Sequence, residues 1–166
     1  SSAVSGKPVL KVATNATYVP FEFKSEDGKD YTGYEIDVVR AMAKEMGQDV
    51  EFKNIAFDGL IPALQAHDVD MTASGMTATK ERAEKILFAA PFYQTKLAVV
   101  TKIDSPIQSV SDMTEGQEIA VQVGTTAATY AKDKGMNIKN FDHSSDVIME
   151  LTTGGAAAGI LDKPAA

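Results

Sequence analysis

Short apolar runs alternate along the chain with segments whose apolar residues recur at helical spacing. Val9 to Thr14 (VLKVAT) reads as a buried strand, and the NATYVPFEF that follows carries a proline that stops it and aromatics that can pack. In GYEIDVVRAMAKEMG, Ile36, Val39, Ala43 and Met46 fall on one helical face and Gly47 stands at the C-cap. That predicts an amphipathic helix packed on the first strand. Val50 to Ile55 reads as a second strand, and Ala56 to Ala66 as the next helix, with Asp58 as N-cap and Pro62 in the first turn. VDMTA is a third strand. The alternation implies a parallel sheet with right-handed crossovers.

A second alternation follows a long extended stretch. Phe92 to Lys102 reads as a hinge or crossover, which puts a first lobe at 9–91 and a second at 103–166. In the second lobe the pattern predicts a strand at Glu118 to Val123, a Gly124-Thr125-Thr126 turn, and a helix from Ala127 to Lys134 ending at Gly135. A strand at Ile138 to Phe141, a helix from Ser145 to Thr153 closed by Gly154-Gly155, and a strand from Ala157 to Leu161 come next. Asp162 stands directly after the last of these.

The chemistry gathers where strands end. SGMTATKER, Ser74 to Arg82, brings hydroxyls, a glycine and an arginine to a junction of strand and helix. In open α/β sheets that is where ligands bind, because helix N-termini offer free N–H groups there. With Thr79 as cap, Arg82 falls in the first helical turn, where the macrodipole disfavours a cation and an anion would resolve the conflict. Its guanidinium suits a carboxylate. The plainer reading pairs Arg82 with Glu81 or Glu84 on a solvated helix. Asn15 to Tyr18, Phe57, Gly124 to Thr126 and Asp162 are further polar or aromatic clusters at strand ends, each also open to a reading as turn or cap chemistry. Taken together they supply an arginine for a carboxylate, an aspartate for an ammonium and aromatics for a side chain, the needs of a free α-amino acid.

Composition narrows the classes. The 166 residues are 44% hydrophobic, enough for one medium domain or two small lobes, and the net charge of −7 argues against nucleic acid. There is no cysteine, which leaves no disulfide and no thiolate metal site. His67 and His143 lack ligand-spaced partners and read as surface residues; the seven methionines read as core filler, with Met76 a candidate cleft residue. No nucleotide-binding glycine pattern occurs, and no cofactor or metal is expected. Residues 1–8, SSAVSGKP, read as a flexible leader.

At GYEIDVVRAMAKEM the sequence resembles the signature of the extracellular solute-binding proteins that serve ABC-type amino-acid transporters. YVPFEFK, AFDGLIPAL, SGMTATKER and VGTT match that family's other recurrent stretches in order, and YVPFEFK and DGLIPALQ are most similar to its glutamine-binding branch. The resemblance implies a two-lobed α/β periplasmic-binding-protein fold of type II, each lobe a mainly parallel sheet flanked by helices. It implies that Arg82, with Ser74, Thr77 and the Gly75 N–H, holds a ligand carboxylate, that the N–H groups of Thr125 and Thr126 meet it from the second lobe, and that Asp162 takes the ammonium. Tyr18 and Phe57 would stack on the ligand side chain. Asn15 stands where relatives that favour cationic ligands carry an acid, which favours a neutral polar ligand such as glutamine; Gln122 and Leu161 stand where glutamine-binding relatives carry a lysine and a histidine.

The implied partners are an amino acid and the membrane subunits of an ABC transporter. The implied location is periplasmic or extracellular, free or tethered by a lipid. Family members continue beyond the equivalent of Asp162, so a fragment, with the second lobe and part of the first incomplete, or a chain completed by a swapped second copy is expected. Two other functions share the scaffold. One is an amino-acid-sensing receptor domain; the other is a dehydratase of arogenate or prephenate type, which needs a general acid in the cleft, and Glu22 is the one glutamate at a strand end.

Overall fold

The computed structural model describes residues 6–166, so the first part of the expected leader, residues 1–5, lies outside the described residues. The chain divides between Ala90 and Pro91 into two compact units.

In the first unit, β1 (Val9–Thr14) leads into three short strands, β2 (Thr17–Tyr18), β3 (Glu22–Lys24) and β4 (Tyr31–Thr32). These form a small antiparallel sheet in the order β2-β3-β4, in a region where the sequence suggested no strand. Helix α1 (Tyr34–Glu45) follows, then β5 (Asp49–Asn54), a 3-10 turn at Phe57–Gly59 running into α2 (Leu60–Gln65), β6 (Met71–Thr72) and the short α3 (Lys80–Ala83). The main sheet has the order β5-β1-β6, and both pairings are parallel, as the strand and helix alternation implies.

The central strand is buried on both faces. Val12 packs with Val39 and Ala43 of α1, while its neighbour Ala13 packs with Leu60 of α2 and Val69. From Val12 on, successive side chains are buried on alternate faces, which explains why this end of β1 reads as a buried strand, while Val9 and Lys11 at its start are exposed. Met46, expected on the inner face of α1, is 58% exposed because the helix stops at Glu45 and the chain turns away through Gly47 at φ 69°. Helix α1 begins on Gly33 without a side-chain cap; its first N–H groups, from Tyr34 and Glu35, donate to the carbonyls of Pro20 and Phe21 at 2.9 and 3.0 Å. At Gly33, φ is 124° and a Cβ would stand 2.3 Å from the Phe21 carbonyl oxygen, so the close docking of this turn requires glycine.

Two expectations need correction. Asp58 does not cap α2: it lies inside the 3-10 turn, which starts after the extended Ala56 and passes straight into the helix. The third strand is shorter than VDMTA, since only Met71 and Thr72 pair in the ladder. Just before them the Asp70 carboxylate accepts from the Lys11 N–H at 2.9 Å, in place of a strand partner.

The second unit contains β7 (Leu97–Val100), a 3-10 turn at Val110–Asp112, β8 (Glu118–Gln122), α4 (Thr126–Asp133), β9 (Asn137–Phe141), α5 (Ser144–Thr153) and β10 (Ala158–Asp162). Its sheet runs β7-β10-β8-β9, with β7 antiparallel and the other pairings parallel. Leu97–Val100, inside the stretch expected to be a crossover, is therefore the edge strand of this sheet. Ile119, Val121 and Ile160 face α4 through Ala127 and Ala131, and Ala120 and Leu161 face α5 through Val147. Helix α5 closes on Gly154 in the left-handed region, as expected.

After α2, His67 adopts φ 59°, the one non-glycine residue with positive φ among the described residues. The N–H groups of His67 and Asp68 donate back to Leu64 and Ala63, the pattern in which glycine is preferred. Relieving the left-handed strain by His67→Gly is expected to raise stability by about 0.5–1 kcal/mol, read as a higher urea midpoint with unchanged slope.

Candidate functional site

Because β1, β5 and β6 are parallel, their carboxyl ends lie on one edge of the first sheet. That edge is cross-braced by side chains. The Asn15 backbone N–H donates to Ser74 Oγ at 2.9 Å, and Asn15 Nδ2 donates to the Ile55 carbonyl at 2.9 Å. Thr17 Oγ1 donates to Asn15 Oδ1 at 3.0 Å, and the Ala16 N–H to Asn54 Oδ1 at 2.8 Å. Asn15 is buried, so its amide ties the ends of β1 and β5 together. Asn54 was not singled out in the sequence; a polar residue closing a strand next to a second one was its only signal.

The turn at Ser74-Gly75 rests on two glutamates. Ser74 Oγ donates to Glu22 Oε1 at 3.2 Å, and the Gly75 N–H donates to Glu35 Oε2 at 2.6 Å. The Gly75 N–H, expected to meet a ligand carboxylate, is thus engaged within the unit. Gly75 has φ 55°, and a Cβ there would stand 2.4 Å from Cε1 of Tyr18, whose ring packs on Phe21 with centroids 5.1 Å apart. Asn15, Tyr18, Ser74 and Gly75 are therefore one packed group.

Arg82 belongs to a neighbouring group. Thr79 caps α3 as expected, its Oγ1 accepting from the Arg82 N–H at 3.2 Å. The guanidinium donates from Nη1 to the Thr77 carbonyl at 2.8 Å and lies over the Phe57 ring, 5.5 Å from its centroid. At 9% exposure Arg82 is not the solvated helix residue of the plainer reading, and Glu81 pairs with Lys85 instead at 3.5 Å. Thr77, Phe57 and Arg82 are brought together; Met76 packs beneath, against Leu60 and Val69.

In the second unit, β8 and β10 are parallel, so their carboxyl ends share an edge of the sheet. Gln122, at the end of β8, is buried and donates from Nε2 to the Asp142 carbonyl at 2.9 Å. Thr125 caps α4: its hydroxyl donates to the Gln122 carbonyl at 2.7 Å and accepts from the Ala128 N–H at 3.2 Å. The Thr125 N–H also turns back to the Gln122 carbonyl, at 3.4 Å. Thr126 opens the helix and Asp162 closes β10. Gln122 and Thr125 touch, and Thr126 and Asp162 stand at the ends of neighbouring elements.

Among titratable groups in the first site, Glu35 is shifted upward. Burial is the dominant cause; the Gly75 N–H, a side-chain hydrogen bond with Glu22 and the Ser74 N–H oppose it. Sequence reasoning missed Glu35 as a site residue, although an acid beside Ile36 at the start of an apolar helical face was a signal. Among the described residues, no group of three or more His, Cys, Asp or Glu is placed to hold a metal ion, and no helix is long and apolar enough to cross a membrane.

Residues 10–158 match the model of bacterial extracellular solute-binding proteins, family 3. The arginine-binding extracellular protein ArtP of Bacillus subtilis is 32% identical over 98% of this chain and 64% of its own length. The chain thus spans less than two thirds of that curated relative. Two solved structures of an ancestral arginine-binding protein, one bound to arginine and one to glutamine, are each 39% identical. They superpose with TM-scores of 0.88 and 0.87, over 96% and 94% of this chain and 72% and 70% of theirs. The α/β fold of type II periplasmic binding proteins, expected from the sequence, is the fold these neighbours share.

Two outcomes are expected. Gly75→Ala forces a left-handed alanine against the Tyr18 ring and should lower unfolding free energy by about 2 kcal/mol or more, read by urea titration. The second concerns pH. With its folded-state pKa raised above 4.5, Glu35 keeps a proton that the unfolded chain has released. Its contribution to stability is therefore full below 4.5, falls as pH rises toward the folded-state value, and levels off above it. Glu35→Gln should remove that fall from the stability profile.

Proposed function

Because the chain belongs to family 3 of the bacterial extracellular solute-binding proteins, we propose that it reversibly captures a free polar L-amino acid, without turnover, for delivery to an ABC-type importer. The observation that carries this reading is Arg82, buried at the start of α3 with its guanidinium oriented by the Thr77 carbonyl and the Phe57 ring. A guanidinium so fixed loses little freedom when it binds a carboxylate, and its planar fork matches the two carboxylate oxygens. Thr77 is exposed and stands beside it, which suits it to the same carboxylate. Phe57 and Tyr18 supply apolar faces for the ligand side chain.

Chemistry alone assigns the second unit its share. The helix N-terminus at Thr125 and Thr126 suits an anionic group, Gln122 a polar one and the Asp162 carboxylate an ammonium. The protein acts outside the cytoplasmic membrane in this reading, with membrane subunits of the importer as its partners.

The favoured ligand is glutamine. Asn15 is uncharged and its amide is already engaged with Ile55 and Thr17, so it brings no counter-charge to a cationic side chain. Arginine is the second reading, favoured by what the similar proteins are said to bind; one of them is also described bound to glutamine. Micromolar capture requires about −8 kcal/mol, within reach of a ligand of about ten heavy atoms.

Calorimetric titration with glutamine, arginine, histidine and lysine tests the reading. Saturable binding is expected, weakened by about 2 to 5 kcal/mol in Arg82→Ala, since that change leaves a bound carboxylate unpaired. Equal binding by Arg82→Ala would remove Arg82 from the site, and binding of arginine above glutamine would reverse the order of ligands. Consumption of arogenate or prephenate would replace capture with catalysis.

A further inference from the structure

Glu22 and Glu35 face each other behind the Ser74-Gly75 turn and are not needed by any ligand contact proposed above. Glu22 is wholly buried on β3, and Glu35 is buried in the first turn of α1. Each holds one end of the turn: Ser74 Oγ donates to Glu22 Oε1 and the Gly75 N–H to Glu35 Oε2. Both carboxyl groups close on the same residue: a Cβ at Gly75 would stand 3.7 Å from Glu22 Oε1, and the Gly75 N–H lies 2.6 Å from Glu35 Oε2. Two ionised carboxylates are acceptors only and repel each other when buried on one turn, whereas a proton held between them supplies a donor and removes one charge.

The surroundings favour a single charge. The N-terminus of α1 and the N–H groups of Ser74 and Gly75 stabilise one anion, while burial resists a second one beside it. The other titratable groups near the pair are Tyr18 of β2, whose ring lies on Gly75, and Tyr34 of α1, whose ring packs edge-on against Phe21; Asp37 in the same helical turn is exposed. The hydrogen bonds that hold Glu35 come from Gly75, Glu22 and Ser74, with no cationic side chain among them.

We propose that Glu22 and Glu35 share one proton and act as a buried bracket, positioning residues that set the shape of the Ser74-Gly75 turn and through it the affinity for the captured amino acid. The last clause rests on the function proposed above; the bracket itself does not. Loss of the shared proton places two like charges against each other, loosens the turn and weakens capture. Because the two groups are coupled, the proton leaves the pair rather than either residue.

The test uses the whole chain and two readouts. By NMR without ligand, the Ser74 and Gly75 amide protons of the wild type are expected to move with pH on one curve whose midpoint lies above the ordinary glutamate value of 4.5. Glu35→Gln, which keeps an acceptor for Gly75 and gains a donor for Glu22, should abolish the movement of the Gly75 amide. Calorimetry with glutamine and arginine across the same pH interval should show affinity falling roughly fivefold or more in the wild type. In Glu35→Gln the affinity should stay at its low-pH level.

A Gly75 amide that does not titrate, or that titrates identically in Glu35→Gln, overturns the bracket. Should the variant not fold, the carboxyl carbon shifts of wild-type Glu22 and Glu35 decide the matter: coupled curves support the proposal, and two independent ordinary glutamates overturn it. Coupled curves with pH-independent affinity overturn the link to capture. Coupled curves with no binding of any amino acid at any pH support the bracket and overturn the proposed function.

Discussion

Parallel strands deliver their last residues to one edge, and the backbone groups there have no further ladder to satisfy them. In the first unit the answer to that constraint is the braced edge running from Asn54 and Ile55 through Asn15 to Ser74. Much else depends on it. The turn at Ser74-Gly75 takes its direction from the brace, α1 is anchored beside it by the Pro20 and Phe21 carbonyls, and Tyr18 closes on Gly75. Many of the polar residues at the strand ends are therefore structural first. Asn15 and the Gly75 N–H already have protein partners within the unit.

Burial on both faces gives that edge its rigidity. Val12 and Ala13 face different helices in the first unit, as Ile160 and Leu161 do in the second. Neither central strand has a free face on which to shift register, because a slip of one residue would exchange its two cores. A site built at the ends of such strands inherits fixed positions. Arg82 is fixed at shorter range, with the Thr77 carbonyl and the Phe57 ring among the groups that hold its guanidinium.

The parallel sheet, the helices α1, α4 and α5 and the caps at Thr79, Thr125 and Gly154 were legible in the sequence because each follows from a local pattern: apolar spacing, a hydroxyl before a helix, a glycine after one. The family was legible in the Gly33 to Met46 stretch. What escaped was non-local. The pairing of β2, β3 and β4 involves strands of two or three residues that carry no period of their own. Leu97–Val100 is a strand only because β10 pairs with it. Glu35 looked like one of two acids flanking Ile36, and only the arrival of Gly75 from forty residues away separates it from the exposed Asp37.

The order of strands in the second sheet bears on how the chain is made. β10 lies between β7 and β8, so of the described strands of this sheet the last to leave the ribosome is an interior one. Until it emerges, β7 has no neighbour and β8 has only β9. The β5-β1-β6 ladder of the first unit, by contrast, has its three described strands once Thr72 has appeared. Synthesis from the N-terminus thus lets the β5-β1-β6 ladder form while β7 and β8 still wait for their keystone, which places an aggregation-prone interval in the span from β7 to β10.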